Sequence, residues 1–198
     1  GKKKALSDKE TKALLATVDV STLKGKRDFA MMGVMACTGL RTVEISRANI
    51  EDVQPKGGET VLWIHGKGRT GKDEYVVLPA GVLAPLRAYL AQRGPVDAGR
   101  PLFCGFGPRN NGKRLSRRTI RGMVKGYMAE VGIFDRSAHA LRHTAITLAI
   151  CEGASLYEAQ AMARHSDPKT TQGYFDNVNR IQDAAEKRTA AVLFAAAA

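Results

Sequence analysis

The sequence is poor in cysteine and has no long apolar run. Its three cysteines (Cys37, Cys104 and Cys151) are odd in number and far apart, so they make neither a disulfide framework nor a metal knuckle. No apolar stretch approaches the roughly 20 residues that a membrane-spanning helix needs, and no apolar signal segment follows the lysines at 2–4. These absences argue against a secreted disulfide scaffold and a membrane protein, and they favour a reducing, cytoplasmic location.

Several active-site motifs are also missing. The acidic residues are scattered, without the carboxylate cluster that two-metal phosphoryl transfer requires, and Gly-x-Ser-x-Gly is absent. The glycine-rich segment 65–72 lacks the spacing of a Walker loop. His139 and His143 are four residues apart and could in principle hold a metal, but Arg142 between them would place a positive charge beside the ion. A metal-dependent nuclease, an ATPase and a serine hydrolase are therefore disfavoured, and we expect no metal and no cofactor.

The chain is strongly basic. Its 198 residues include 31 Lys and Arg against 19 Asp and Glu, which gives a net charge of +12. With 44% hydrophobic and 25% charged residues, the composition is that of a globular protein. The charge predicts a polyanionic partner, and by itself it is compatible with DNA, RNA or a membrane surface.

Apolar residues show helical spacing along most of the chain, and one region between the helical segments shows a β-type pattern instead. Ser7 and Glu10 predict a capped first helix with Ala13, Leu14 and Leu15 on its apolar side. Two β-type runs, 60–64 and 75–78, predict a hairpin whose tip, 65–72, is basic. Further helices are predicted over about 26–37, 41–47, 82–93, 117–131, 139–151, 156–163 and 180–194. The fold class is therefore α+β, mainly α-helical with a small antiparallel β-sheet.

A basic segment extends from Gly105 to Lys125 without any acidic residue. Ser116 is a candidate cap for a helix whose buried face carries Ile120, Val124 (or Met123), Tyr127 and Val131. A solvated helix face is the ordinary explanation of such a charge run, but the lack of acids favours contacts with DNA. The candidate DNA-binding residues are Arg69 and Lys72 at the hairpin tip, with Lys113, Arg114, Arg117, Arg118, Arg121 and Lys125.

Four separated motifs together resemble the catalytic domain of tyrosine recombinases, the phage integrase family. The resemblance covers the chain from the helix start at Leu6-Ser7 to about residue 180. The motifs occur in the family's order: Gly39-Leu40-Arg41 with Glu44, Gly66-Lys67-Gly68 in the hairpin, His139-x-x-Arg142, and His165 nine residues before Tyr174.

The resemblance implies cleavage of a DNA strand without a metal ion. Tyr174 would be the nucleophile, and it would form a 3′-phosphotyrosyl ester that a second strand can resolve without ATP. Arg41 and Arg142 would bind the non-bridging phosphate oxygens, because the guanidinium fork matches the geometry of phosphate. The alternative for Tyr174 is an ordinary half-buried tyrosine, and the alternative for Arg41 is a surface charge at the start of a helix.

Four further residues complete the implied site. Lys67 would donate a proton to the leaving 5′-oxygen, although Arg69 or Lys72 on the same tip could reach the phosphate instead. His139 would exchange a proton with the tyrosine hydroxyl, and His165 would hydrogen-bond the phosphate. Glu44 would orient an arginine or a histidine. His143 is expected to be structural.

Two positions depart from the family pattern, and the family implies a larger assembly. Ala163-Arg164 precedes His165 where the family often has Leu-Gly, and Gly173 precedes Tyr174 where bulkier residues are common. Residues 1–198 would form one catalytic domain, a fragment without the N-terminal core-binding domain. The segment 181–198, with Ala184, Ala185, Val192 and Leu193, would dock on a neighbouring protomer.

The implied function is site-specific recombination of double-stranded DNA by a homotetramer. The protein would be nucleoid-associated and of prokaryotic or phage origin, with no membrane or small-molecule partner. Two alternatives stay open at this point: a non-catalytic DNA-binding architectural module of the same fold, and a strand-cleaving enzyme like type IB topoisomerases.

Overall fold

The computed structural model describes residues 5–65, 71, 73–165, 167–182 and 186–189. The chain divides into two compact units, residues 1–145 and 146–198. Its elements are α1 (Asp8–Ala16), α2 (Leu23–Thr38), α3 (Thr42–Arg47), β1 (Val53–Lys56), β2 (Glu59–Ile64), β3 (Glu74–Val77), α4 (Ala80–Arg93), α5 (Arg117–Glu130), α6 (His139–Cys151), α7 (Leu156–Ala163) and α8 (Pro168–Gln182). This mainly helical composition with one small antiparallel sheet confirms the predicted fold class. In the part of the chain that is described, no helix has both the length and the apolar character to cross a membrane.

The first helices form as their capping residues predict. Ser7 and Glu10 make the reciprocal capping box of α1, but Ala13 is exposed because the buried side of α1 passes through Thr11 and Leu14. The next helix starts three residues earlier than predicted, since the Thr22 side chain accepts from the Gly25 amide and caps it. Helix α2 is buried on most of its surface and forms the centre of the core.

The sheet is an antiparallel meander in the order β1-β2-β3. Leu62 lies opposite Val76, and both face the core of the first unit. On the opposite face the rings of Trp63 and Tyr75 pack edge to face at 5.2 Å. The two strands of the predicted hairpin, β2 and β3, are thus part of a three-stranded sheet. Strand β1 was not predicted because its sequence, Val-Gln-Pro-Lys, does not alternate apolar and polar residues. Most of the basic tip lies outside the described residues.

Helix α5 packs through one narrow apolar stripe. The Ser116 hydroxyl caps it by accepting from the Thr119 amide at 3.0 Å. Its buried residues are Ile120, Val124 and Met128, which recur every four residues. The predicted face included Tyr127 and Val131, which are only half-buried. The cationic residues of the helix are left on the exposed side.

A buried polar cluster fixes α5 to α2. The Tyr127 hydroxyl donates to Oδ2 of Asp28 at 3.0 Å, and Asp28 is fully buried beside Arg27. Arg27 in turn donates to the carbonyl of Cys104 at 2.8 Å. Burial, and then the charge of Asp28, oppose ionisation of the phenol and raise the pKa of Tyr127 to about 12. This cluster therefore sets how α5 is rotated about its own axis.

The second unit has its own small core. Helix α7 has the bounds and the capping box, Ser155 with Glu158, that the sequence predicts. Helix α7 ends at Arg164, which adopts the left-handed conformation with φ 51°. The buried apolar residues of the unit come from α6, α7 and α8: Ile146, Ile150, Ala159, Ala163 and Val178.

Helix α8 corrects one prediction. The sequence pattern predicts a helix over about 180–194. Residues 180–182 and 186–189 are helical, as predicted, but the first of these stretches is the end of a helix that begins at Pro168 and includes Tyr174. The start is explained by Asp167, whose carboxylate accepts from the Lys169 amide at 3.0 Å, followed by proline at the first helical position. Of the predicted C-terminal segment 181–198, residues 183–185 and 190–198 lie outside the described part, including Ala184, Ala185, Val192 and Leu193.

Candidate active site

Arg41 is placed by the sharp turn between α2 and α3. Gly39 ends α2 in the left-handed region at φ 66°, where residues with a Cβ are strained. The chain then passes through the buried Leu40 to Arg41, which precedes α3. Glu44, one turn into α3, accepts from the Arg41 backbone amide at 2.6 Å and from Nη1 of the same residue at 2.9 Å. The buried carboxylate therefore holds both the backbone and the guanidinium of Arg41.

Arg142 reaches the same turn from α6. Its side chain is only 2% exposed, and its Nη1 donates to the Gly39 carbonyl at 2.5 Å. A buried guanidinium is costly unless it is hydrogen-bonded, and the carbonyl at the end of α2 supplies such a bond. Two arginines that are 101 positions apart in sequence are thereby brought to one short segment of backbone.

The two arginines and His139 line one cavity of about 380 Å³ in the first unit. Arg121 and Lys125, one turn apart on α5, line it as well. The remaining lining residues are apolar or hydroxyl-bearing: Met35, Leu40, Thr42, Ser137 and Ala138. Four permanent cations and no carboxylate line this cavity, which makes it a site for an anion.

The histidines of α6 lie together. The rings of His139 and His143 meet edge to face at 4.7 Å between centroids. Among the residues that the structure describes, no group of three or more His, Cys, Asp or Glu side chains is arranged to hold a metal ion. His139 faces the anion cavity, whereas His143 does not line it.

His165 and Tyr174 are neighbours in the second unit. Their rings stack with 6.1 Å between centroids. His165 Nδ1 lies 2.8 Å from the hydroxyl of Thr171, a residue that is fully buried. Helix α8 carries both Thr171 and Tyr174, so it fixes the histidine ring beside the tyrosine.

The predicted basic residues fall into three groups. Lys113, Arg117 and Arg118 are exposed, in addition to the cavity-lining pair on α5. Arg114 instead braces the backbone after α3, because its Nη1 donates to the carbonyl of Ser46 at 2.9 Å. It also donates to the Ala48 carbonyl and to the Asn49 side chain. These bonds hold the guanidinium of Arg114 against the backbone, and its predicted contact with DNA stays a prediction. Lys67, Arg69 and Lys72 lie outside the described residues.

Two features of the site were not predicted from sequence. The first is that Arg121 and Lys125 line the same cavity as Arg41. Their spacing of four residues indicates a shared helix face but does not show which part of the protein that face lies against. The partnership of Thr171 with His165 is the other, and nothing in the intervening sequence distinguishes Thr171 from Thr170.

Residues 4–180 match the model of the phage integrase family, and the chain belongs to that family. It is 36% identical over 163 residues to a tyrosine recombinase of Synechocystis sp., a match that covers 81% of this chain and 51% of the relative. It is 34% identical over 184 residues to tyrosine recombinase XerD of Pseudomonas aeruginosa, covering 91% and 60%. The chain thus spans between about half and three fifths of these relatives.

Solved structures share the fold. The XerH site-specific recombinase, in a post-cleavage complex with its palindromic difH substrate, superposes with a TM-score of 0.76 at 23% identity, covering 92% of this chain and 52% of that one. The XerA recombinase superposes with a TM-score of 0.72 at 27% identity, covering 92% and 63%.

Proposed function

We propose that this chain is the catalytic domain of a site-specific DNA recombinase that cleaves and rejoins strands through a covalent 3′-phosphotyrosine, without metal or ATP. The observation that carries the proposal is the cavity that Arg41, His139 and Arg142 share. Membership of the phage integrase family and the recombinases of similar fold support it.

The reaction conserves the energy of the phosphodiester. The Tyr174 oxygen attacks phosphorus, the new O–P bond replaces the bond to the 5′-oxygen, and the phenolic proton passes to His139. The departing 5′-oxygen takes a proton from Lys67. Rejoining is the reverse: the 5′-hydroxyl of a second strand attacks the phosphotyrosine, and Tyr174 recovers its proton.

The arginines bind the charge that develops on the non-bridging oxygens. Glu44 holds Arg41, and the Gly39 carbonyl holds Arg142, so neither guanidinium needs to be reoriented when the phosphate arrives. Preorganised donors of this kind contribute about 3 kcal/mol each to transition-state stabilisation. The loss of either arginine should therefore slow cleavage by about 10²-fold or more.

His165 and Tyr174 supply the other half of the chemistry. Thr171 orients His165 for a hydrogen bond to a phosphate oxygen, and stacking on His165 limits the rotation of the Tyr174 ring. The helical position of Tyr174 gives the nucleophile a fixed backbone. This arrangement supports their assignment as one functional pair.

The partner proposed for the domain is double-stranded DNA. The exposed Lys113, Arg117 and Arg118 would contact the phosphate backbone, together with Lys67, Arg69 and Lys72 of the hairpin tip. By analogy with the family, the active assembly is a homotetramer on two duplexes, with segment 181–198 docked on a neighbouring protomer. A cytoplasmic, nucleoid-associated protein of prokaryotic or phage origin fits this role.

A covalent adduct tests the proposal. Duplexes that the protein binds are selected from a random pool, nicked so that a released strand cannot religate, and incubated with the protein before denaturing electrophoresis. The wild-type chain should form a protein–DNA adduct, and Tyr174→Phe should form none. Tyr157→Phe is the matched control, because Tyr157 is 81% exposed in the same unit.

Other outcomes would overturn the proposal in distinct ways. An unchanged adduct in Tyr174→Phe refutes the assignment of the nucleophile. Binding without any adduct identifies an architectural module. Relaxation of supercoiled DNA of any sequence identifies an enzyme like type IB topoisomerases.

A further inference from the structure

We infer that Arg121 and Lys125 bind the phosphate next to the scissile one. The inference rests on the proposed function, and it gives these residues a narrower role than general contact with the DNA backbone. It follows from their place in the cavity, from the charge there and from the rigidity of α5.

The cavity carries more positive charge than one phosphodiester neutralises. Arg41 is paired with Glu44, and Arg121 and Lys125 alone add two positive charges, against the single negative charge of one diester. Within the described part of the chain, neither Arg121 nor Lys125 pairs with a carboxylate. The two residues on α5 are therefore suited to a second anion.

The cavity has room for this second group. Its volume of about 380 Å³ accommodates on the order of ten water molecules. Arg41 approaches from the turn after α2 and Arg142 from α6, whereas Arg121 and Lys125 approach from α5. Residues four apart on a helix lie side by side at about 5–6 Å, so the pair forms a row along which a neighbouring phosphate of the same strand can lie.

The row is held rigidly. Val124, between Arg121 and Lys125, is fully buried, and Tyr127 is bonded to the buried Asp28. The two cationic side chains themselves are exposed.

A chemical double-mutant cycle tests the inference. The protein is wild type or Arg121→Gln/Lys125→Gln, which removes the charge at two exposed positions and keeps a polar side chain at each. The DNA is a selected duplex with one uncharged methylphosphonate placed at each position in turn, and affinity is measured by fluorescence anisotropy. Covalent trapping on the unmodified duplex locates the scissile phosphate.

The wild-type protein should lose about tenfold in affinity when the phosphate beside the scissile one is neutralised, which corresponds to about 1.4 kcal/mol. The affinity of the double variant should not fall further when this phosphate is neutralised, but it should still fall when phosphates at other positions are neutralised. Arg87→Ala, an exposed cation on α4, should behave as the wild type does.

Two results would overturn the inference. In one, the affinity of the double variant is unaffected by a methylphosphonate only at the scissile position. In the other, the loss of affinity from the double substitution and the loss from the methylphosphonate are additive at every position. Because affinity is the readout, coupling at one phosphate is detected whether or not an adduct forms, and trapping serves only to identify that phosphate as the neighbour of the scissile one. If no adduct forms but the double substitution and one methylphosphonate position are still coupled, the proposed chemistry is refuted. If an adduct forms but no position is coupled to the double substitution, only the inference is refuted.

Discussion

Replacing Glu44 by glutamine should damage both the stability and the activity of the first unit. The carboxylate is 3% exposed and accepts from the Arg41 amide and from its guanidinium. A glutamine has one accepting oxygen, so one of these donors would meet an NH₂ group instead. The loss of one hydrogen bond to a charged group costs about 1.5–3 kcal/mol. We therefore expect Glu44→Gln to lower the free energy of unfolding by about 2 kcal/mol.

The loss can be measured through the single tryptophan. Trp63 lies in β2, so its fluorescence reports urea unfolding of the unit that contains Glu44. Glu10→Gln is the matched control: Glu10 serves the same capping position in α1 but is less buried than Glu44, and a glutamine oxygen can still accept from Ser7. We expect that control to cost no more than about 0.5 kcal/mol.

Activity provides the second readout. With Arg41 no longer held, adduct formation should slow by about 10²-fold, while affinity for DNA changes much less. If Glu44→Gln unfolds at the same urea concentration as Glu10→Gln and cleaves at the wild-type rate, the carboxylate does not position Arg41, and the reasoning is wrong.

Two further substitutions test local features. Arg164→Gly should stabilise the second unit by on the order of 0.5–1 kcal/mol, because the left-handed conformation strains any residue with a Cβ. Slower amide hydrogen exchange in α7 would support this prediction, and faster exchange would contradict it. Tyr127→Phe should lower the free energy of unfolding by about 1.5–3 kcal/mol at pH 7. Because folding raises the pKa of Tyr127 from 10.0 to about 12, the stability that this residue contributes is complete below about pH 10 and declines towards pH 12. Urea midpoints over that range should therefore fall less steeply in the variant, and an equal slope would refute the assignment.

Local signals predicted most of the helices. Capping residues correctly predicted the starts of α1 and α7, and Gly39 correctly predicted the end of α2, because these features depend on neighbours within four residues. β1 was missed because its pairing with β2, and not its own pattern, makes it a strand. α8 was missed although Asp167-Pro168 carries a start signal, since its apolar stripe is short.

The site was predictable as a set of residues and only partly as an arrangement. Motifs identified Arg41 and Arg142, but the bond from Arg142 to the Gly39 carbonyl depends on tertiary packing that no spacing shows. For the same reason spacing does not show that Arg114 donates to three backbone and side-chain oxygens, and its predicted contact with DNA stays a prediction. The roles of the remaining basic residues stay predictions.

The first turn of α5 has an unfavourable electrostatic pattern. It carries Arg117 and Arg118 and no acidic residue, although the N-terminal end of a helix already has a partial positive charge. Each cation there costs the free protein about 0.3–1 kcal/mol at low ionic strength. Added salt screens this self-repulsion, and the same salt weakens attraction to a nucleic acid backbone. Added salt should therefore raise the thermal stability of the free protein and lower its retention on heparin, so the two measurements should respond to salt in opposite directions.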